Sequence, residues 1–357
     1  MVLFLLLSQL TLAQTRVRIA LQEKGSSCTV ESDAYTLKST AGAQVLRKGQ
    51  GQVTFRPGFP EKDVMFVPAS GVFYWNGRGY RGYLRVFERE GKLVAVNVLN
   101  LEDYLAGVVG GEIPADWPGP TQRALAVAAR TYAVYLLGDP RDSEYDLVAT
   151  DQDQVYAGLD GESFSSRGAL DDTRGQVLKG ADGRVLKAYY SSNCGGHTSD
   201  SEPVFGPKVP FIKGVPDPYC AGTAGSHWSR SFPIETVRKR FAADGKPLGT
   251  ITSVVVSGHD PSGRMNFITV KDDQGHEYRE KSQDFRRILG YRELRSTRCK
   301  MSVKEQNGRP VSLHFQGGGW GHGVGLCQWG ALVMGEKHMG YQAILRHYYR
   351  GATLEKL

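Results

Sequence analysis

One acidic residue, Glu112, stands among apolar residues and glycines in "VVGGEIPADWPGPTQRALAVAARTYAVY", Val108 to Tyr135. Two glycines precede it and Ile-Pro follows, which pins the backbone while the carboxyl can face a groove. Val108, Val109, Ile113 and Trp117 offer apolar neighbours. Desolvation by them would raise a carboxyl pKa and keep the group protonated as a general acid. The plainer reading is a glutamate that caps a helix or pairs with Arg130 on the next one.

Two further stretches could carry chemistry. "GGGWGHGVGLCQWGA" lacks the Gly-Lys-Ser/Thr of a phosphate loop and the spacing of a dinucleotide fingerprint. Its Trp320, His322, Gln328 and Trp329 instead suit stacking on sugar rings with hydrogen bonds alongside. The same residues also suit a tight strand-to-helix turn with Trp in the core. "SSNCGGHTSDSEPVFG", with "PDPYC" and "SHW" downstream, holds Cys194, His197, Cys220 and His227. The spacing C-x2-H…C-x6-H matches no standard zinc signature, and in an exported protein a disulfide is favoured over a metal. Sequence proximity suggests Cys194–Cys220 and Cys299–Cys327, with Cys28 left odd. Each bridge would stabilise by about 3–4 kcal/mol in the chain-entropy model. No G-x-S-x-G, H-E-x-x-H or compact Ser-His-Asp arrangement occurs, which weakens esterase and metalloprotease readings, and no cofactor or resident metal is expected.

The elements that must position these residues are legible as patterns. From Thr15 to Asn100 short alternating runs such as "GVFYWNGRGYRGYLRVFER" and "KLVAVNVL" are separated by Gly and Asn, as in hairpins and meanders. "NLEDYLAGVVGGE" reads as a helix with a capping residue, early acids, and Leu101, Tyr104, Leu105, Val108 and Val109 on one face. Gly110 and Gly111 are expected to end it, and Pro114 to block its resumption. "PGPTQRALAVAARTYAVYLLG" is a second helix, whose Ala124, Ala126, Ala128, Ala129 and Ala133 let another element approach closely. A hairpin followed by a short helix is expected over about 236–290, as an insertion on the main body, and "YQAILRHYYRG" reads as an amphipathic closing helix. The fold class expected is α+β: a β-rich N-terminal subdomain over 14–100, then a mixed domain over 101–357 with helices around a groove.

The chain has 357 residues, 40% hydrophobic and 23% charged, which suits a folded protein with a sizeable core. A net charge of +7 and a pI near 9.0 suit an acidic polymer partner. No dense Lys/Arg block or nucleic-acid motif occurs, which argues against nucleic acid. "MVLFLLLSQLTLAQ" is too short to span a bilayer and reads as an export signal over residues 1–13, although no Lys or Arg precedes its apolar run. No cysteine stands at that cleavage point and no other segment suits a membrane helix, so an exported, periplasmic or extracellular protein without an anchor is expected.

Taken in order, "LNLEDYLAGVVGGEIPADWPGPTQRALAVAARTYAVY", "DQVYAG", "AYYSSNCGGHT", "VPFIKGVPDPYC", "GWGHGVGLCQWGA" and "ILRHYYRGATL" resemble the SpoIID/LytB family, named for stage II sporulation protein D and the amidase enhancer. The resemblance runs over roughly Val94 to Leu357. It implies a lytic transglycosylase that cuts the glycan strands of peptidoglycan, with Glu112 as the essential general acid/base. It also implies groove and substrate-contact roles for Arg130, Tyr132, Gln154, Tyr156, Ser191, Ser192, Gly195, Gly196, Thr198, His322 and Gln328, to which the residue reading adds Trp320. Some relatives bind zinc through Cys and His just before the "Q-Y" motif; here "DLVATDQDQVYAG" has neither. The rival implied by the LytB branch is a non-catalytic wall-binding protein that stimulates a partner N-acetylmuramoyl-L-alanine amidase.

Overall fold

A computed structural model describes residues 15–206 and 208–357, so the expected export signal at 1–13 lies outside the described residues. The fold is α+β. Two compact units divide the chain, one running to Val177 and taking in Glu355–Leu357, the other Leu178–Leu354. The strands expected as a separate subdomain over 14–100 thus share a unit with the helices that follow them.

The first unit is built on a nine-stranded sheet. Strands β1 (Arg16–Gly25), β2 (Cys28–Ser39), β3 (Val45–Phe55), β4 (Asp63–Pro68), β5 (Val72–Trp75), β6 (Arg78–Arg81), β7 (Tyr83–Arg89), β8 (Lys92–Asn100) and β9 (Leu147–Val148) are ordered β6-β5-β2-β4-β7-β8-β1-β9, with β3 paired to β2. The Asn76-Gly77 turn joins β5 to β6 with both residues at positive φ, 50° and 77°, the backbone that a two-residue hairpin requires. β8 is buried on both faces, as its near-continuous apolar run demands. Its Val94, Val96 and Val98 pack with Ala20, Phe87, Tyr145 and Val148. The other alternation carries Asn97, whose amide donates to the carbonyls of Arg81 and Tyr83.

β8 passes without a loop into helix α1 (Leu101–Glu112), where Asn100 accepts the Glu102 N–H at 2.9 Å and Glu102 and Asp103 complement the helix dipole. Helix α2 (Gly119–Gly138) starts at Pro118, and α3 (Phe164–Asp172) starts at a Ser163/Ser166 capping box. The alanines of α2 are buried, and the helix packs against α1 and α3. Arg130 ties the three helices together. Fully buried, it donates to both carboxylate oxygens of Glu102 at 2.7 and 2.8 Å and to the carbonyls of Thr173, Leu170 and Gln176. A planar fork with five donors suits that position; a lysine could not satisfy it.

In the second unit β10 (Gln176–Lys179) straddles the division, followed by β11 (Tyr190–Ser191), α4 (Ser201–Phe205), β12 (Trp228–Pro233), α5 (Ile234–Ala243), β13 (Ile251–His259), β14 (Met265–Asp272), β15 (Glu277–Lys281), α6 (Ser282–Leu289), β16 (Cys299–Gln306), β17 (Arg309–Gly317), β18 (Leu326–Cys327), α7 (Gln328–Glu336), α8 (Tyr341–Tyr348) and β19 (Thr353–Lys356). The region expected as an insertion is a three-stranded meander, β13-β14-β15, flanked by α5 and α6. It shares one core with the β12-β17-β16 sheet through Phe232, Val237, Phe241, Ile268, Phe285 and Phe315. The closing helix α8 buries Ile344, Leu345 and Tyr348, as its pattern requires.

Removing one member of the buried Arg130–Glu102 pair leaves an uncompensated charge, so Arg130→Met should lower unfolding stability by about 3–5 kcal/mol in urea titration. The double variant Arg130→Met/Glu102→Leu should recover most of the loss. A single variant as stable as the wild type would refute the role of the pair.

Candidate functional site

Glu112 is the last residue of α1. Gly110 and Gly111 do not end the helix, as the sequence reading expected; the helix runs through them and stops at Ile113, before Pro114. These glycines serve as a bare helix face instead. A Cβ on Gly110 would lie 1.9 Å from the carbonyl oxygen of Gly161, and one on Gly111 2.9 Å from that of Val155. Gly107, one turn earlier, is equally tight against Gly158 and the Tyr156 ring. The segment from Val155 to Gly161 therefore lies directly on the helix backbone, and the Val155 N–H donates to Glu112 Oε1 at 2.9 Å. Glu112 is half-buried, while Val108, Val109 and Ile113 are turned into the core. The pairing with Arg130 that the plainer reading offered is not made: Arg130 holds Glu102, ten residues earlier on the same helix.

The other expected residues of this unit form the layer beneath. Gln154 is fully buried, accepts the Tyr104 hydroxyl at 3.1 Å and donates to the Ala129 carbonyl at 3.3 Å. Tyr156 donates to Asn97 Oδ1 at 3.0 Å, and its ring packs at 4.9 Å from that of Tyr104. Burial holds both phenols well above their ordinary pKa, so they act as neutral donors. Tyr132 donates to Asp153 Oδ1 at 2.9 Å; the same carboxylate accepts from Arg141 and from the Val148 N–H. Asp153, which the sequence reading passed over, anchors the loop that brings Val155 to Glu112. Its position directly before Gln154 in "DQVY" was the available signal. The zinc that some relatives hold before this motif does not fit here: the segment has no thiol or imidazole, and of its carboxylates Asp146, Asp151 and Asp153 the first and last are taken by Arg18 and Arg141.

In the second unit the remaining expected residues come together around the glycine-rich run. The Trp320 backbone pairs with that of Asn193, and Ser191 Oγ accepts the Gly323 N–H at 3.2 Å. The Trp329 N–H donates to the Ser192 carbonyl. Gly195 packs on the backbone of Gly318, where a Cβ would lie 2.9 Å away, and Gly196 donates its N–H to Cys220 Sγ. Thr198 is buried and exchanges hydrogen bonds with the Val215 backbone, while Gln328 opens α7, also buried. His322 Nδ1 accepts the Val324 N–H at 3.0 Å, and its ring packs on Tyr189 and Phe205. Burial and the nearby arginines push its pKa down to about 3, so the imidazole is neutral. Trp320 is 39% exposed with the Arg295 guanidinium 4.7 Å over its ring. Beside it lies an open depression of about 390 Å³ lined by His227, Arg230, Arg292, Glu293 and Arg295.

The cysteines correct the expected pairing. All five are buried free thiols. Cys299 sits in the core of the β12-β17-β16 sheet, whereas Cys327 gathers with Cys194, Cys220 and Asp217, so a Cys299–Cys327 bridge does not form. Cys194 and Cys220 lie with sulfurs 3.5 Å apart, in contact without a covalent bond.

Gly110→Ala should cost about 1–3 kcal/mol, since the added methyl meets backbone that cannot yield. Gly138→Ala, at the open end of α2 with nothing within 4 Å, should be neutral or slightly stabilising in the same thermal unfolding assay. Equal effects of the two changes would sink the bare-face account of α1.

Residues 89–179 match the family model of stage II sporulation protein, SpoIID, and residues 222–325 match a domain of unknown function, DUF8618. The chain is 32% identical over 325 residues to an uncharacterised protein of Brachyspira hyodysenteriae, covering 91% of this chain and 85% of that one. It is 29% identical over 294 residues to the amidase enhancer of Bacillus subtilis, covering 70% of this chain and 40% of that longer protein. Against the stage II sporulation protein D of Bacillus amyloliquefaciens the identity is 26% over 285 residues, covering 73% and 76%.

Proposed function

This chain belongs to the SpoIID/LytB family, and on that premise we propose that it is an exported cell-wall enzyme, a lytic transglycosylase of peptidoglycan glycan strands. The observation that carries the reading is Glu112, half-buried at the end of α1 with its Oε1 held by the Val155 N–H. That bond holds one oxygen of the carboxyl in place at the end of α1.

The chemistry needs one carboxyl. Glycosidases that use water or a covalent intermediate require a second carboxylate. In a transglycosylase the 6-hydroxyl of the muramic acid attacks its own C1. Glu112 gives its proton to the departing glycosidic oxygen, and the resulting carboxylate takes the proton of the 6-hydroxyl. The C1–O bond to the next sugar breaks, a C1–O6 bond forms, and the product has a 1,6-anhydro end with no water consumed. The basic charge of the chain suits an anionic wall polymer, and exposed Trp320 offers a face for a sugar ring.

Trp320 also favours a second reading, in which the protein binds wall glycan without cutting it and stimulates an amidase, as the name of the amidase enhancer relative suggests. Among the described residues no helix is long and apolar enough to cross a membrane.

Peptide-free glycan strands incubated with the protein should give anhydro-ended fragments by mass spectrometry. Glu112→Gln should lower the rate by about 10²–10⁴-fold, with binding to the strands retained. Reducing-ended fragments would mean hydrolysis. Binding without cleavage by either protein would replace catalysis with the amidase-enhancing role.

A further inference from the structure

Three thiols and a carboxylate converge in the interior of the second unit. Cys194, Cys220, Cys327 and Asp217 are each fully buried, and one donor atom from each lies within 4.8 Å of all the others. Cys194 Sγ is 3.5 Å from Cys220 Sγ and 3.2 Å from Asp217 Oδ2. A tetrahedral ion with metal–sulfur bonds of about 2.3 Å sets its ligand atoms about 3.8 Å apart, so the four donors already stand on that scale.

The surroundings are those of an anionic centre. Backbone N–H groups point at the sulfurs: Cys194 and Gly330 to Cys327 Sγ at 3.2 and 3.4 Å, and Gly196 to Cys220 Sγ at 3.1 Å. Asp217 is oriented by the Tyr348 hydroxyl on Oδ2 and the Tyr219 N–H on Oδ1, both at 3.0 Å. Such outer hydrogen bonds fix ligand geometry in metal sites. A Cβ on Gly330 would lie 2.4 Å from Asp217 Oδ2 and 2.1 Å from the Tyr348 hydroxyl, so glycine at that point keeps the space for them. The guanidinium of Arg264, 1% exposed, donates to the Cys194 carbonyl at 2.8 Å and supplies a buried positive charge nearby.

We propose that Cys194, Cys220, Cys327 and Asp217 bind one structural zinc ion. Thiolate-rich sets select zinc among common divalent ions, and four protein ligands leave no open position for catalysis. On binding, three Zn–S bonds and one Zn–O bond form, the protons of the ligands pass to solvent, and no electron moves. A disulfide explains the cluster less well, because three thiols cannot all pair and a Cys194–Cys220 bridge would strand Cys327 and Asp217. The ion would clamp the segment bearing Ser191, Gly195, Gly196 and Thr198 to the start of α7, where Gln328 follows Cys327 directly. It is separate from the zinc position of relatives before the "Q-Y" motif, and it does not depend on the transglycosylase reading.

The full chain, purified without chelator, should carry about one zinc per molecule by elemental mass spectrometry. Asp217→Asn keeps the volume and should weaken zinc binding at least about tenfold in a chelator competition. Cys327→Ser should lose the ion, while Cys299→Ser should keep it. Should the serine variants fail to fold, Co2+ added to the chelator-stripped wild type decides: intense thiolate-to-cobalt absorption supports the site. A folded wild type with neither zinc nor cobalt absorption, or a Cys194–Cys220 disulfide in peptide maps of protein never treated with chelator, would overturn the proposal.

Discussion

The position of Glu112 depends on one steric constraint, the absence of side chains from Gly107, Gly110 and Gly111. Because those positions are bare, the segment from Val155 to Gly161 lies on the backbone of α1, and the Val155 N–H reaches Glu112 Oε1. The helix persists through the glycines despite their poor propensity, since tertiary packing and the buried Leu101, Tyr104, Leu105, Val108 and Val109 outweigh a local preference of about 1 kcal/mol per glycine. A main-chain donor thereby holds one oxygen of the carboxyl, and a peptide N–H has less freedom than a long side chain.

Beneath that contact the polar residues form satisfied internal networks. Arg130, Tyr132, Gln154 and Tyr156 are all buried, and they hydrogen-bond to Glu102, Asp153, the Ala129 carbonyl and Asn97, all within the first unit. They position the site: the buried Gln154 side chain pins the chain directly before Val155, and Asp153 with Tyr132 and Arg141 fixes the loop leading to it. A buried polar group left unpaired is costly, so such networks tolerate little change.

The second unit follows the same economy with different chemistry. Glycines in "GGGWGHGVG" let Arg264 and the Tyr189 backbone pass within contact of the chain; a Cβ on Gly323 would meet the Arg264 guanidinium at 1.8 Å, and one on Gly325 the Tyr189 carbonyl at 1.9 Å. His322 is neutral and spends Nδ1 on the Val324 N–H, which makes it a brace of the turn. Of the residues expected to stack on sugar, Trp320 keeps a solvent-facing ring.

The sequence by itself determined the α+β class, the meander leading into α1, the helix α2 with its small face, and Glu112 as the acidic residue at a helix end. Each of these rests on local periodicity or on a residue type whose conformation is restricted wherever it occurs. Cap residues behaved the same way, as Asn100 does at the start of α1. Only the tertiary structure decided the rest. Whether two glycines end a helix or bare its face depends on what lies against them, and that partner is some fifty residues away. Arg130 chose Glu102 over Glu112 because both lie on α1 and only packing selects the turn that faces α2. Cys327 stands 133 residues from Cys194 but beside it in space, and no sequence spacing carries such a proximity.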